Sequence, residues 1–506
     1  MRYLDAKTLK KLSRIADPEA DQFLAGAGGF EAYAQMVRTY GFAQLTESLD
    51  DYHAGTESPP DRYTRFLQTA KAAGHSGSFV TTAEVFWSFA GEVEIAEPEE
   101  DQLEALDAAA ELFRRYGNEI AAALLLAALP DAFAAEEGAA VLVQSRQLAT
   151  PLALRRRIRG TAQFLMLVLA RDGGSRDKAV RDAEKVRWAP VTGRCWRAVV
   201  ALRLYHASIR LQAAQGMATA RSSEGAAPIL AKEWKSVLAE KLRAVVGHGD
   251  ETGVVARGGV AEPKAVAMAE PPPAVINQRD LLGMLLGFSI GTLDVLDRFG
   301  IRLSDDERQA YLTAWNHIGT LLGIGSDGAI TSLSDCAPRP DRPMLPNTCL
   351  DATRLFEQIR KDVWPDVTGL NLTDLIKSTD DGRRLIVAML VDLRAAMPKF
   401  AKELPQLVMR ELVDPRVRAR LALGDGGLLE LGSNQFLQFI DKSPIGRTFG
   451  PGTLTGPALR MAANFVTRSS IIEFLVGDGP PFVIPGLEEW VDVLSSSEQR
   501  SRGARG

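Results

Sequence analysis

The stretch RCWRAVVALRLYHASIRLQAAQ, residues 194–215, decides the fold class. Its Cys195, Val199, Leu202, His206 and Ile209 fall at i, i+4, i+7, i+11 and i+14, a spacing that puts all of them on one apolar stripe of an α-helix. Outward from it, the same 3.6-residue recurrence runs through most of the chain, and two-residue alternation is scarce. The chain therefore reads as all-α, helix packed on helix. The pattern predicts helices over 101–116, 118–129, 136–147, 151–171 and 176–187 before this stretch. After it come 278–299, 304–322, 351–362, 370–377, 381–396, 399–412, 415–423 and 456–475.

Local chemistry marks the ends of these elements. Ser304-Asp305-Asp306-Glu307 reads as a capping box, in which hydroxyl and carboxylate satisfy the free N–H groups of a helix start. Gly323-Ile324-Gly325-Ser326-Asp327-Gly328 matches a dinucleotide fingerprint on paper. That fingerprint must open a helix after a strand, whereas this one ends a helix, so it reads as a C-cap that uses glycine at positive φ. Residues 1–100 form an N-terminal helical layer and 101–485 the main domain. Within the latter, 245–275 is rich in Gly, Ala, Val and Pro and reads as a flexible insertion. Residues 486–506 read as a disordered tail.

Composition excludes several classes. The 506 residues carry 59 basic and 64 acidic side chains, a net charge of -5, without the basic excess that phosphate binding needs. Nucleic acid is thus not an expected partner. Three cysteines in so long a chain build no disulfide framework, and no C-x-x-C pair offers a zinc site. Residues 1–20 lack the apolar core of a secretory signal. The longest apolar runs, 120–130 and 162–170, fall short of the ~20 residues that span a bilayer. The expectation is a chain without a transmembrane segment, in the cytoplasm.

The candidate site residues follow from position. His206 lies on the apolar stripe, where both ring nitrogens need partners; a hydrogen-bonded core histidine and a metal ligand are both compatible with that. Arg203 and Arg210, three residues before and four after it, flank the stripe as partners for carboxylates, haem propionates among them, or as solvated side chains. Arg157 and Thr161 share a helix face at the edge of the apolar run 164–168, and pair a guanidinium with a hydroxyl. His317 sits on a helix beside Gly319 and reads by default as a packed core residue. Phe164, Leu165, Leu202 and Leu286 are the expected apolar wall, and Glu136 and Glu137 are candidate acid–base groups.

Taken in order, the segments Arg157-Ile158-Arg159-Gly160-Thr161, Arg203-Leu204-Tyr205-His206-Ala207, Ile276-Asn277-Gln278-Arg279-Asp280, Phe288-Ser289 and 315–324 resemble the rubber oxygenase catalytic domain family. That family includes latex-clearing proteins and the fungal oxygenase that cleaves a prenyl chain in mycophenolic acid biosynthesis. The resemblance spans roughly residues 105–425. It implies a globin-like helical core around haem b, with His206 as the proximal iron ligand and Arg157 and Thr161 in the pocket; Arg203, Arg210 and His317 are the further candidate cofactor-binding residues. It also implies dioxygen and an apolar, unsaturated, isoprenoid-like substrate cleaved at a C=C bond. Latex-clearing proteins carry a lysine before the pocket threonine and the exported ones a signal; Gly160 stands here instead, and no signal is visible. A small isoprenoid is therefore expected rather than polyisoprene. The alternatives are a haem sensor or carrier without turnover, and a helical interaction protein without cofactor.

Overall fold

The computed structural model describes residues 6–27, 86, 89, 98–135, 139, 161, 164–165, 167–170, 185, 187–190, 193–220, 274–325, 345–363, 381–398, 401–402, 404–421, 423 and 456–475. Among these, every regular element is a helix, as the periodicity requires.

Helix α1 is Ala6–Leu12 and α2 is Pro18–Ala27. The long central helix begins as α3, Glu100–Ala123. It continues through a π-helical turn, Leu124–Ala128, into α4, Leu129–Ala134. The sequence predicts a break near residue 117; the structure carries the helix through with a kink at Tyr116 (φ −130°, ψ 26°). Glu100–Ala134 is long and apolar enough to cross a bilayer, yet 83% of its most apolar window is buried inside this protein. It is apolar because it is the axis of the core, buried on several faces.

The remaining helices wrap this axis. They are α5 (Arg194–Ala220), α6 (Gln278–Leu286), α7 (Thr292–Arg298) and α8 (Asp305–Leu321). Beyond them come α9 (Cys349–Val363), α10 (Asp381–Ala395), α11 (Leu404–Leu412), α12 (Pro415–Arg420) and α13 (Gly456–Leu475). Both α8 and α13 pack along α3, and α5 packs between α2 and α8. The predicted capping box is present: Ser304 Oγ accepts from Glu307 N at 3.2 Å, and Glu307 Oε2 accepts from Ser304 N at 2.9 Å. Past α8 the chain leaves the helix through Gly323 (φ +80°) and Gly325 (φ +74°). These are the left-handed positions expected of a C-cap.

Between α6 and α7 lies a second π-helical turn, Gly287–Gly291, which packs against the first. Two π-helical turns in contact are uncommon, and such turns concentrate at functional sites. Packing is tight here: a β-carbon on Gly291 would stand 3.2 Å from the Phe356 ring, which would have to give by a few tenths of an ångström.

The first helices are bolted to the later ones. Ala274 N donates to Ser13 O at 2.9 Å and Gln278 N to Ile15 O at 2.7 Å. The Gln278 side chain donates to Ala16 O (2.7 Å) and Gly323 O (3.0 Å) and accepts from Gly325 N (3.0 Å). One buried amide thus joins three segments that are remote in sequence. Nearly all of the insertion expected at 245–275, the helix expected at 370–377 and the tail 486–506 lie outside the described residues.

Candidate functional site

The site is best built from α5. From Cys195 to Arg210 every residue is buried except Leu202 and His206, which are half-buried. The sequence places both on a stripe with Cys195, Val199 and Ile209. The structure buries those three and leaves Leu202 and His206 as the two half-buried positions between Cys195 and Arg210. Position four residues apart puts these two side chains one above the other. An imidazole and an isobutyl group therefore border the same space.

The flanking arginines turn elsewhere. Successive residues advance by about 100°, so Arg203 and Arg210 lie on nearly one line, some 50° from His206. That line faces α2. Arg203, 2% exposed, donates to Asp17 from Nε (2.6 Å) and Nη2 (2.9 Å), and to Glu19 from Nη2 (2.7 Å). Its guanidinium also stands 5.5 Å from the Phe89 ring centroid. Burial by itself would lower the Arg203 pKa; its pairs with Asp17 and Glu19 outweigh that and raise it. Arg210 Nε donates to Asp21 at 2.8 Å, and Arg210 Nη1 to Ile276 O at 3.4 Å. Burial raises the Asp21 carboxyl, and Arg210 offsets only part of the shift. Both arginines do pair with carboxylates, and the carboxylates are those of the chain itself.

Asp17 was not visible as a partner. In Asp17-Pro18-Glu19 the aspartate looks like an ordinary N-cap, and its Oδ1 does accept from Ala20 N at 3.3 Å. The signal hidden by this role was the i, i+7 arginine pair on α5, which demanded acidic partners on some facing helix.

His317 on α8 is a separate feature. It is 8% exposed, and burial depresses its pKa to about 4, so the ring is neutral. The edge of Trp188 meets it with centroids 5.3 Å apart and planes at 80°. Its Nε2 is buried without a hydrogen-bond partner among the described residues. Its neighbour Asn316 is anchored by donation to Pro346 O at 2.8 Å. A buried imidazole nitrogen is costly in a core unless a partner satisfies it, and none is found among the described residues.

Thr161 is helical and half-buried, with Phe164, Leu165 and Val168 buried after it. Of the expected wall, Phe164, Leu165 and Leu286 are buried and Leu202 half-buried. Arg157, Glu136 and Glu137 lie outside the described residues. Among those residues no group of three or more His, Cys, Asp or Glu side chains is disposed to hold a metal ion.

A second polar locus, unseen in the sequence, is a small cleft where the two π-helical turns meet, lined by Asp131, Asp294, Arg298 and Arg360 with Gly287 and Gly291. Arg360 Nη2 donates to Asp131 Oδ2 at 2.8 Å and stacks 3.9 Å over Phe356. Burial raises both aspartates, with Arg360 opposing.

The architecture thus defines an all-α protein whose central histidine-bearing helix is buried between an N-terminal layer and a second core helix. Residues 238–428 match the family model described as ER-bound oxygenase mpaB/B'/Rubber oxygenase, catalytic domain. The resemblance read from the sequence is borne out over that stretch, which contains the segments 276–280, 288–289 and 315–324, and His317; Thr161, Arg203, His206 and Arg210 precede it. Among solved structures, the chain aligns with one titled Structure of Latex Clearing Protein LCP in the closed state, at 14% identity, a TM-score of 0.48 and 94% coverage of each chain. No curated protein sequence matches it.

Proposed function

We propose that the chain is a haem b-dependent oxygenase that acts with dioxygen on an apolar, unsaturated, isoprenoid-like substrate and cleaves it at a C=C bond. The match of residues 238–428 to an oxygenase catalytic domain supports the oxygenase class. The observation that carries the cofactor assignment is the Leu202–His206 line, where an imidazole and an aliphatic side chain stay half-buried on a helix otherwise buried from Cys195 to Arg210. This is the donor set a haem face takes: one imidazole for the iron and an apolar neighbour against the porphyrin.

Bound there, haem would supply dioxygen binding and the redox chemistry that alkene cleavage requires. The chain's own residues orient and insulate. His206 would offer an imidazole nitrogen, and Leu202, with the expected wall residues Phe164, Leu165 and Leu286, would supply apolar surface that keeps water away. Thr161 places a hydroxyl at the edge of that surface, beside which Arg157 would bring a positive charge. Arg203 and Arg210, already held by Asp17, Glu19 and Asp21, fix the helix instead of the propionates.

A second reading has its own observation. His317 is neutral, buried and has an Nε2 without a partner among the described residues, so it is the alternative axial donor. Full-length protein loaded with haem and scanned from 350 to 600 nm tests both. His206→Ala should lose the Soret band and stay helical, and retention of the band in that variant with loss in His317→Ala would move the ligand to α8. No Soret band in the parent protein points to the cofactor-free interaction protein. Absence of labelled oxygen in products from prenyl and terpenoid alkenes, with reduced, oxygen-binding iron, identifies a sensor or carrier.

A further inference from the structure

His206 is bracketed by two anchors that tie its helix to the N-terminal layer. Three residues before it, Arg203 is held by Asp17 and Glu19; four residues after it, Arg210 is held by Asp21. All three carboxylates belong to α2 or to the residue that caps it. The Asp17–Arg203 pair is buried on both sides, at 1% and 2% side-chain exposure. It is further walled by Gly323, whose β-carbon position lies 2.6 Å from both Arg203 Nε and Asp17 Oδ2.

We propose that Asp17 is a positioning residue for His206: through Arg203 it sets the rotation and height of α5, and with them the direction in which the imidazole is presented. The inference rests on the reading of His206 as the haem ligand. Its physical basis is the arrangement of lines on α5. The arginine line and the His206 line are some 50° apart on the helix, and the arginine line is the one held against α2. A helix held by charge-assisted bonds on one line has little freedom to roll. Arg210 and Asp21 repeat the restraint on the far side of His206, and Gln278 closes the frame by bonding Ala16, Gly323 and Gly325. The N-terminal layer is in this view a wall of the site rather than an appendage.

The test uses full-length protein loaded with haem, read by Soret position, ferric electron paramagnetic resonance and the rate of haem transfer to an apo-globin acceptor. His206→Ala first establishes the ligand: loss of the Soret band upholds the parent reading. Its retention defeats that reading and the present inference with it. With the ligand established, Asp17→Asn should keep its helical circular dichroism, shift the ferric spectrum and release haem at least about tenfold faster, the usual scale for a group that orients a metal ligand. Asp17→Glu should restore most of the parental spectrum. Glu19→Gln removes only the outer, 40% exposed carboxylate and, should Asp17→Asn fail to fold, provides the readout: a smaller shift in the same direction. Glu119→Gln, which weakens the contact of α3 with α13 through Arg460 and Asn464, controls for loss of stability and should leave the spectrum unchanged. Parental spectra and haem release in Asp17→Asn, or in Glu19→Gln where Asp17→Asn is unfolded, overturn the proposal. So does an equal shift in Glu119→Gln.

Discussion

Arg203 and Asp17, 186 residues apart in sequence, meet in a buried two-point pair at 2.6 and 2.9 Å, and Gly323 closes over it. Residue 323 has φ +80° and space for no more than hydrogen on the side facing the guanidinium. Gly323→Ala should therefore lower unfolding stability by about 3 kcal/mol, from left-handed strain plus displacement of packed groups. Urea denaturation measures it, and a parental midpoint would show that the ion pair yields without cost.

His317 should make stability pH-dependent. Its pKa of about 4 in the folded state lies below the ordinary 6.5 because burial disfavours the charged ring. Between those values the unfolded chain binds the proton and the folded chain does not. The contribution is thus fully present above pH 6.5 and is lost as pH falls toward 4, by a total of about 3 kcal/mol. His317→Phe should flatten that limb of the stability profile relative to the parent. An identical slope in both proteins would mean that the ring is not neutral in the fold.

Thr161 tests the pocket edge. Thr161→Val keeps the shape and deletes the hydroxyl, and together with Arg157→Gln it should perturb the haem spectrum and oxygen chemistry more than Arg155→Ala or Arg156→Ala does. Equal and negligible effects from all four would remove Thr161 and Arg157 from the proposed pocket.

Asp294 is a half-buried carboxyl whose pKa is raised by desolvation, with Arg360 and Arg298 opposing. The folded state therefore holds its proton to higher pH than the unfolded chain, so stability from this group is greatest at low pH and declines as pH rises. Asp294→Asn should raise the urea midpoint at pH 8, by about 1 kcal/mol in free energy, and lose that advantage at pH 4. A destabilised variant at pH 8 would show that the cleft between the π-helical turns requires the negative charge.

Much of the helix inventory was legible because apolar recurrence and cap chemistry are local. The capping box at Ser304 and the left-handed Gly323 were read from a handful of neighbouring residues, and both stand in the structure. The π-helical turns were not legible, since 278–299 has an unbroken helical period and its widened turn is fixed by contact with Leu124–Ala128 and Phe356. Tyr116 shows the reverse case: a predicted break is a kink inside one continuous helix.

At the site, the sequence marked His206, Arg203 and Arg210 as candidates for cofactor or carboxylate contacts, with core or solvated readings open beside them, and read His317 by default as a packed core residue. It did not say that the arginines' partners are Asp17, Glu19 and Asp21, nor that Leu202 and His206 are the two half-buried positions between Cys195 and Arg210. Residue type and period determined by themselves that the described residues are helical and fixed some helix ends, such as the start at Ser304, because those depend on a few adjacent residues. Which face of α5 meets α2, and so which side chains are consumed by ion pairs and which border a site, depends on contacts between segments nearly 200 residues apart. Only the tertiary structure decides that.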